Sequence, residues 1–208
     1  MVRMLILAGL SVWAAGFAGA TTLEGAVRDS AGRPVADAVI YAMVPGKPQV
    51  ARQGAGAVMD QVDKEFVPYV LPVQVGTLVR FPNQDNIRHN VYSFSPAKVF
   101  SLQLYRGTTA EPVLFDKPGG VVLGCNIHDL MLGYILAVET PHFGVTNAGG
   151  KVGLSGIAAG EYEVRVWHPQ MQEMPDAVSR RVSISGTGAT PVSFMITLKP
   201  DPRKKPKR

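Results

Sequence analysis

Apolar and polar residues alternate in twos along much of this chain. Between Glu161 and Trp167, Tyr162, Val164 and Val166 fall on one face and Glu163 and Arg165 on the other, and Val192, Phe194, Ile196 and Leu198 repeat the period near the far end. Leu23–Arg28, Val39–Met43, Leu78–Phe81, Val121–Leu123 and Gly133–Val138 read as further strands. Turn residues stand between them: Asp29-Ser30-Ala31-Gly32, Pro45-Gly46, Pro118-Gly119-Gly120 and Asn147-Ala148-Gly149-Gly150. No helical period runs for ten residues or more. The pattern predicts an all-β protein with strands enough for two sandwiches.

Composition supports this picture and removes others. Of 208 residues, 46% are apolar and only 18% charged, so a real core can form. The 22 Gly and 16 Pro follow no period, which excludes collagen-like and low-complexity chains and favours a turn-rich fold. The formal net charge of +5 is concentrated at one end, where Lys199, Arg203, Lys204, Lys205, Lys207 and Arg208 face only Asp201. What remains is close to neutral, so the charge describes a basic tail (199–208) and not a nucleic-acid-binding surface. Such a tail serves solubility, touches anionic lipid or is disordered.

The first twenty residues place Arg3 before an apolar stretch from Met4 to Phe17, then small residues at Ala18 and Ala20. This is the order of a secretory signal peptide cleaved after Ala20; Gly9, Ser11 and Gly16 interrupt the stretch that a membrane anchor would need. The mature chain is expected to be soluble, exported and periplasmic. In an oxidising compartment its one cysteine, Cys125, has no disulfide partner within the chain. It is incidental, links two chains, or is protected, as a bound metal would protect it.

Leu23–Met43, LEGAVRDSAGRPVADAVIYAM, resembles the opening hairpin of carboxypeptidase-regulatory-like (transthyretin-like) sandwiches. The usual continuation of that pattern stands a hundred residues later, in Thr146–Val164, TNAGGKVGLSGIAAGEYEV. The resemblance implies one small sandwich, 21–56 and 139–198, interrupted by an insertion at 57–138, since insertions are tolerated at exposed loop tips.

The insertion holds Cys125-Asn-Ile-His128-Asp-Leu-Met131 in the loop between two predicted strands. Thiolate, imidazole and thioether are crowded together; soft sulfur ligands favour copper, and two His, one Cys and a weak axial Met make a one-electron copper centre. A Cys-x2-His pair alone would be weak, because such residues are often merely buried, and Met131 alone would be core filler. Zinc is the rival metal; a thioether ligand and the lack of a fourth hard donor count against it. The second imidazole is expected from His89, after Val79-Arg-Phe-Pro-Asn-Gln-Asp85 and followed by Asn90-Val91.

With Phe66-Val-Pro, Leu71-Pro-Val-Gln-Val-Gly and Phe115-Asp-Lys-Pro-Gly in the same order, the insertion resembles plastocyanin and amicyanin, and the short Cys-x2-His-x2-Met loop is most similar to amicyanin. The whole chain resembles bacterial proteins labelled plastocyanin-like or methylamine utilization proteins. The resemblance implies a Greek-key cupredoxin sandwich inserted into the second, smaller sandwich. It makes His89, Cys125 and His128 equatorial ligands of one type 1 copper, puts Met131 on the axis, and has Asn90 brace the cysteine loop. His128 would stand at an exposed electron exit beside Leu130 and Leu132.

The function implied is single-electron transfer to a redox partner protein, without enzymatic chemistry, because no open position has a general base alongside. A copper carrier or store using the same ligands is the alternative, and a scaffold with a decayed site a third reading. His142, in Thr140-Pro-His-Phe, is expected at the boundary of the insertion in a structural role. His168, with Met171 and Met174, could make a second, exposed Cu(I) site, although an ordinary loop accounts for the same residues.

Overall fold

A computed structural model describes residues 22–108, 111–174 and 178–203, and every regular element among them is a strand. The expected leader (1–20) and the last residues of the basic tail lie outside the described residues.

The two ends of the chain form one sandwich. In its first sheet β1 (Thr22–Asp29) lies between β14 (Lys151–Ser155), which it meets antiparallel, and β17 (Ala189–Ile196), which it meets in parallel from Thr22↔Ala189 to Asp29↔Ile196. The facing sheet runs β13 (Phe143–Val145), β2 (Val39–Met43), β15 (Gly160–Trp167) and β16 (Ser179–Ile184). The alternating residues meet between the sheets: Leu23, Val27, Ile40, Ala42, Tyr162, Val164, Val166, Val192, Phe194 and Ile196 share one buried core.

Gly150 closes the Asn147–Lys151 turn at a φ of +69°, where an added Cβ would stand 2.5 Å from the Val27 carbonyl oxygen and 3.0 Å from the Val35 nitrogen. Both obstacles are backbone and cannot rotate away. Gly150→Ala is therefore expected to destabilise the protein by about 2 kcal/mol, read as a lowered urea midpoint at unchanged slope.

The middle of the chain forms a second sandwich. One side has β3 (Gly56–Val58), β7 (Thr77–Arg80) and β10 (Val113–Phe115), with the hairpin of β4 (Asp60–Val62) and β5 (Glu65–Val67). The other is a five-stranded sheet in the order β6 (Val70–Gln74), β12 (Leu132–Val138), β11 (Gly119–Gly124), β8 (His89–Ser95) and β9 (Lys98–Tyr105). Phe66, Val79, Phe81, Val91, Phe115, Val121, Leu123 and Ile135 fill its core. Among the described residues, strands within 56–138 pair only with one another, as do those before and after.

Two strands read as unbroken apolar runs because both faces are covered. On β12, Ile135 and Ala137 point into the middle-chain core while Tyr134, Leu136 and Val138 point out; on β2, Ile40 and Ala42 point into the other core while Val39 and Tyr41 point out. The outward residues meet in a third buried cluster that also takes in Val70, Tyr69 and Trp167, so the two sandwiches share a packed face.

That face corrects one turn prediction. Gly119 and Gly120 belong to β11, and Gly120 is small because the Trp167 ring lies 3.1 Å from where its Cβ would be. The basic segment is likewise not free from its start: Lys199 donates its backbone N–H to the Gln170 carbonyl, and Arg203, paired with Asp201 at 2.8 Å, stacks 3.3 Å from the centre of the Tyr69 ring.

Candidate metal centre

Three side chains that are far apart in sequence converge at one end of the middle sandwich. His89 opens β8 and is fully buried; Cys125 follows β11 directly; His128 lies in the loop that leads into β12. The Cys125 Sγ is 3.8 Å from His89 Nδ1 and 3.9 Å from His128 Nδ1, and one ligand atom from each residue lies within 4.8 Å of the others. Donors bonded to one ion at 2.0–2.3 Å in a shared plane stand roughly 3.5–4 Å apart, so these separations fit a metal held between them.

The loop geometry explains the spacing. His128 N–H turns back to the Cys125 carbonyl at 3.4 Å and Met131 N–H to the His128 carbonyl at 3.0 Å. Two successive four-residue turns that share His128 bring Cys125 and His128 together and return Met131 to the core, where it is buried. Asn90, beside His89, accepts the Asn126 N–H through its Oδ1 at 2.8 Å, which ties the cysteine loop to β8. Burial, then the neighbouring His89 ring and Lys64, hold the His128 pKa below its ordinary value.

Asp85 is a contributor that sequence reading passed over. Its Oδ2 receives His89 Nε2 at 2.7 Å, which leaves the proton on Nε2 and the lone pair of Nδ1 aimed at the thiol. Its two oxygens also accept the backbone N–H groups of Asp63 and Lys64 at 2.7 and 2.8 Å. Those two residues have φ of 54° and 63°, as the tight turn between β4 and β5 requires. Burial raises the carboxyl's pKa, but the Lys64 N–H, the His89 ring and the Asp63 N–H outweigh it and hold the group below its ordinary value. The four-residue spacing from Asp85 to His89 was the available sign, hidden because the intervening loop has no regular period.

No protein-family description matches the chain, and no curated protein does. Among solved structures, it is similar to an oxidised mutant of amicyanin (TM-score 0.36, 21% identity, 47% of this chain and 98% of that one) and to a purple cupredoxin from Nitrosopumilus maritimus (0.34, 22%, 40% and 98%). A copper-containing nitrite reductase from Thermus scotoductus SA-01 is also similar (0.38, 28%, 47% and 28%). The neighbours are amicyanin and other cupredoxins. His89, Cys125 and His128 form a possible metal site in this chain.

The remaining candidates go elsewhere. His142 presents its ring edge-on to Tyr162, with centroids 6.1 Å apart, on the segment that returns to the outer sandwich. His168 is buried and its Nδ1 accepts the Gln170 N–H at 3.1 Å. Met171 packs against the core of that sandwich while Met174 is exposed, so the three do not share one exposed face.

Proposed function

We propose that this protein binds one copper ion as a type 1 centre and carries single electrons between redox partners, without enzymatic turnover. The observation that carries the reading is the convergence of one buried sulfur with two imidazole nitrogens, 3.8 and 3.9 Å from it, the His89 ring buried and fixed by Asp85 and the His128 ring half-buried. His89, Cys125 and His128 would hold the metal, with the Met131 thioether as a further, weaker ligand. Copper supplies the one-electron couple when bound. The chain supplies rigidity: His89 is locked by Asp85, and the Cys125 loop is locked by Asn90. A site that moves little on gaining or losing an electron exchanges it quickly.

On this reading the middle unit (57–138) is a cupredoxin domain carried as an insertion in a transthyretin-like sandwich (21–56 and 139–198), exported by the leader to the periplasm. The test is the visible spectrum of the copper-loaded mature chain, followed by repeated reduction and reoxidation beside a Cu(I) chelator. An intense thiolate-to-copper band and reversible cycling with the metal retained are expected. Loss of copper to the chelator would instead mark a carrier or store, and failure to retain stoichiometric copper would mark a scaffold.

Asp85→Asn keeps the shape of the side chain but removes the charge that orients His89. It is expected to weaken metal affinity about 10–100-fold, measured by competition with a chelator.

A further inference from the structure

Among the described residues, only half of the outer face of the five-stranded sheet is covered. Over β12 and β6, Tyr134, Leu136, Val138 and Val70 enter the contact with the other sandwich. The same apolar surface continues across the sheet: Val122 is registered with Tyr134, Gly124 with Tyr92, and Phe94 with Val99. On this half Phe94 is 81% exposed, Val99 65% and Val122 45%. Ser101, opposite Tyr92, also points out, and these positions include no charged residue. Adjoining exposed apolar residues mark a contact surface, and charge is depleted at the centres of protein interfaces.

The position of this surface names its occupant. Gly124 immediately precedes Cys125, and the Tyr92 ring lies directly on it: a Cβ there would stand 2.7 Å from Tyr92 Cζ and 2.8 Å from its hydroxyl oxygen. The Phe94 ring follows, with centroids 5.3 Å apart and planes inclined by 50°. Five bonds along the chain (Sγ–Cβ–Cα–N–C–Cα) join the Cys125 sulfur to Gly124, and two ring contacts, Tyr92 and then Phe94, lead on from there to solvent. Tunnelling falls steeply with distance and most steeply across gaps, so packed contacts make this a short route. A contact surface for simple adhesion would need no such link to the thiol.

We propose that the Tyr92–Phe94–Val99–Val122 face docks a one-electron redox protein that presents an uncharged, apolar surface around its own redox group. The inference rests on the copper reading above. In the exchange the site gives up one electron and the partner's group gains it; no atom or proton moves. The route is lateral, separate from the His128 loop.

Two measurements on the full copper-loaded chain test it. With Ser101→His carrying a tethered ruthenium polypyridyl photo-oxidant, adding Tyr92→Leu is expected to slow intramolecular electron transfer about tenfold at an unchanged visible spectrum. A rate within about twofold would overturn the route. With a mono-haem c-type cytochrome as probe, the neutral double variant Phe94→Asn/Val99→Asn is expected to lower the second-order rate about tenfold at unchanged potential. An unchanged rate, or a concentration-dependent dimer of the wild-type chain that this variant dissolves, would overturn the docking. If the unlabelled protein shows no thiolate band, the copper reading itself has failed, a distinct outcome.

Discussion

Cys125→Ala is expected to lose the intense visible band altogether while the far-ultraviolet β signature stays unchanged. The band requires a sulfur bound to Cu(II), and Cys125 is the chain's one cysteine, so no other thiolate can substitute. Folding should survive because the residue has a structural equivalent in alanine: the Cβ remains in the core beside Met131, Leu123 and Phe66, and only one buried sulfur is removed. The loss of packing should be about 1 kcal/mol, small beside the stability of a domain of this size. A variant that keeps the wild-type spectrum would show that Cys125 is not a ligand. A variant that loses its β signature would place the cysteine among the residues that hold the core, and Cys125→Ser would then be used to separate the two effects.

Acid should weaken the outer sandwich through one histidine outside the His89, Cys125 and His128 cluster. His168 is buried, and burial holds its pKa at about 4; its hydrogen bond to the Ala36 backbone and the charge of Asp201 pull upward only in part. In the unfolded chain the same ring titrates near its ordinary value of 6.5. Below that value the unfolded state takes up a proton that the folded state refuses until about pH 4. Stability present above pH 6.5 is therefore lost progressively as the pH falls from about 6.5 to 4, by about 3 kcal/mol in full. Urea midpoints of wild type and His168→Gln across this range check it. The variant is expected to show the shallower decline, because every other titrating group cancels in the comparison. Parallel curves would mean that His168 charges in the folded state as readily as in the unfolded one.

The all-β architecture was legible because a strand covered on one face writes its burial in twos, as Tyr162, Val164 and Val166 do on β15. The His89, Cys125 and His128 cluster was legible for a different reason: soft ligands at intervals of three in a loop between strands are hard to explain as packing. Three features were not. The hairpin of β4 and β5 is too short to show a period, and Asp85 fastens its turn while Phe66 is the apolar residue it gives to the core. The exposed strand β9 mixes Val99 and Leu104 with Ser101 and Gln103 on its outer positions, so alternation gives no clean contrast. Gly120 reads as a turn residue, yet its smallness answers to Trp167, a neighbour from the other sandwich that no local pattern can announce.

The parallel ladder between β1 and β17 has a consequence for the order in which the molecule assembles. The outermost sheet cannot close until the last strand has been made, and β2 must find β15 across the whole intervening segment. The middle unit is built from contiguous chain and can collapse alone. Once it has done so, a closure that would span about a hundred free residues spans only a few short connectors, which lowers its entropic penalty by about 1.5–2 kcal/mol. Assembly should thus proceed from the inside outward, with the middle unit acting as a clip that gathers the two distant ends of the polypeptide.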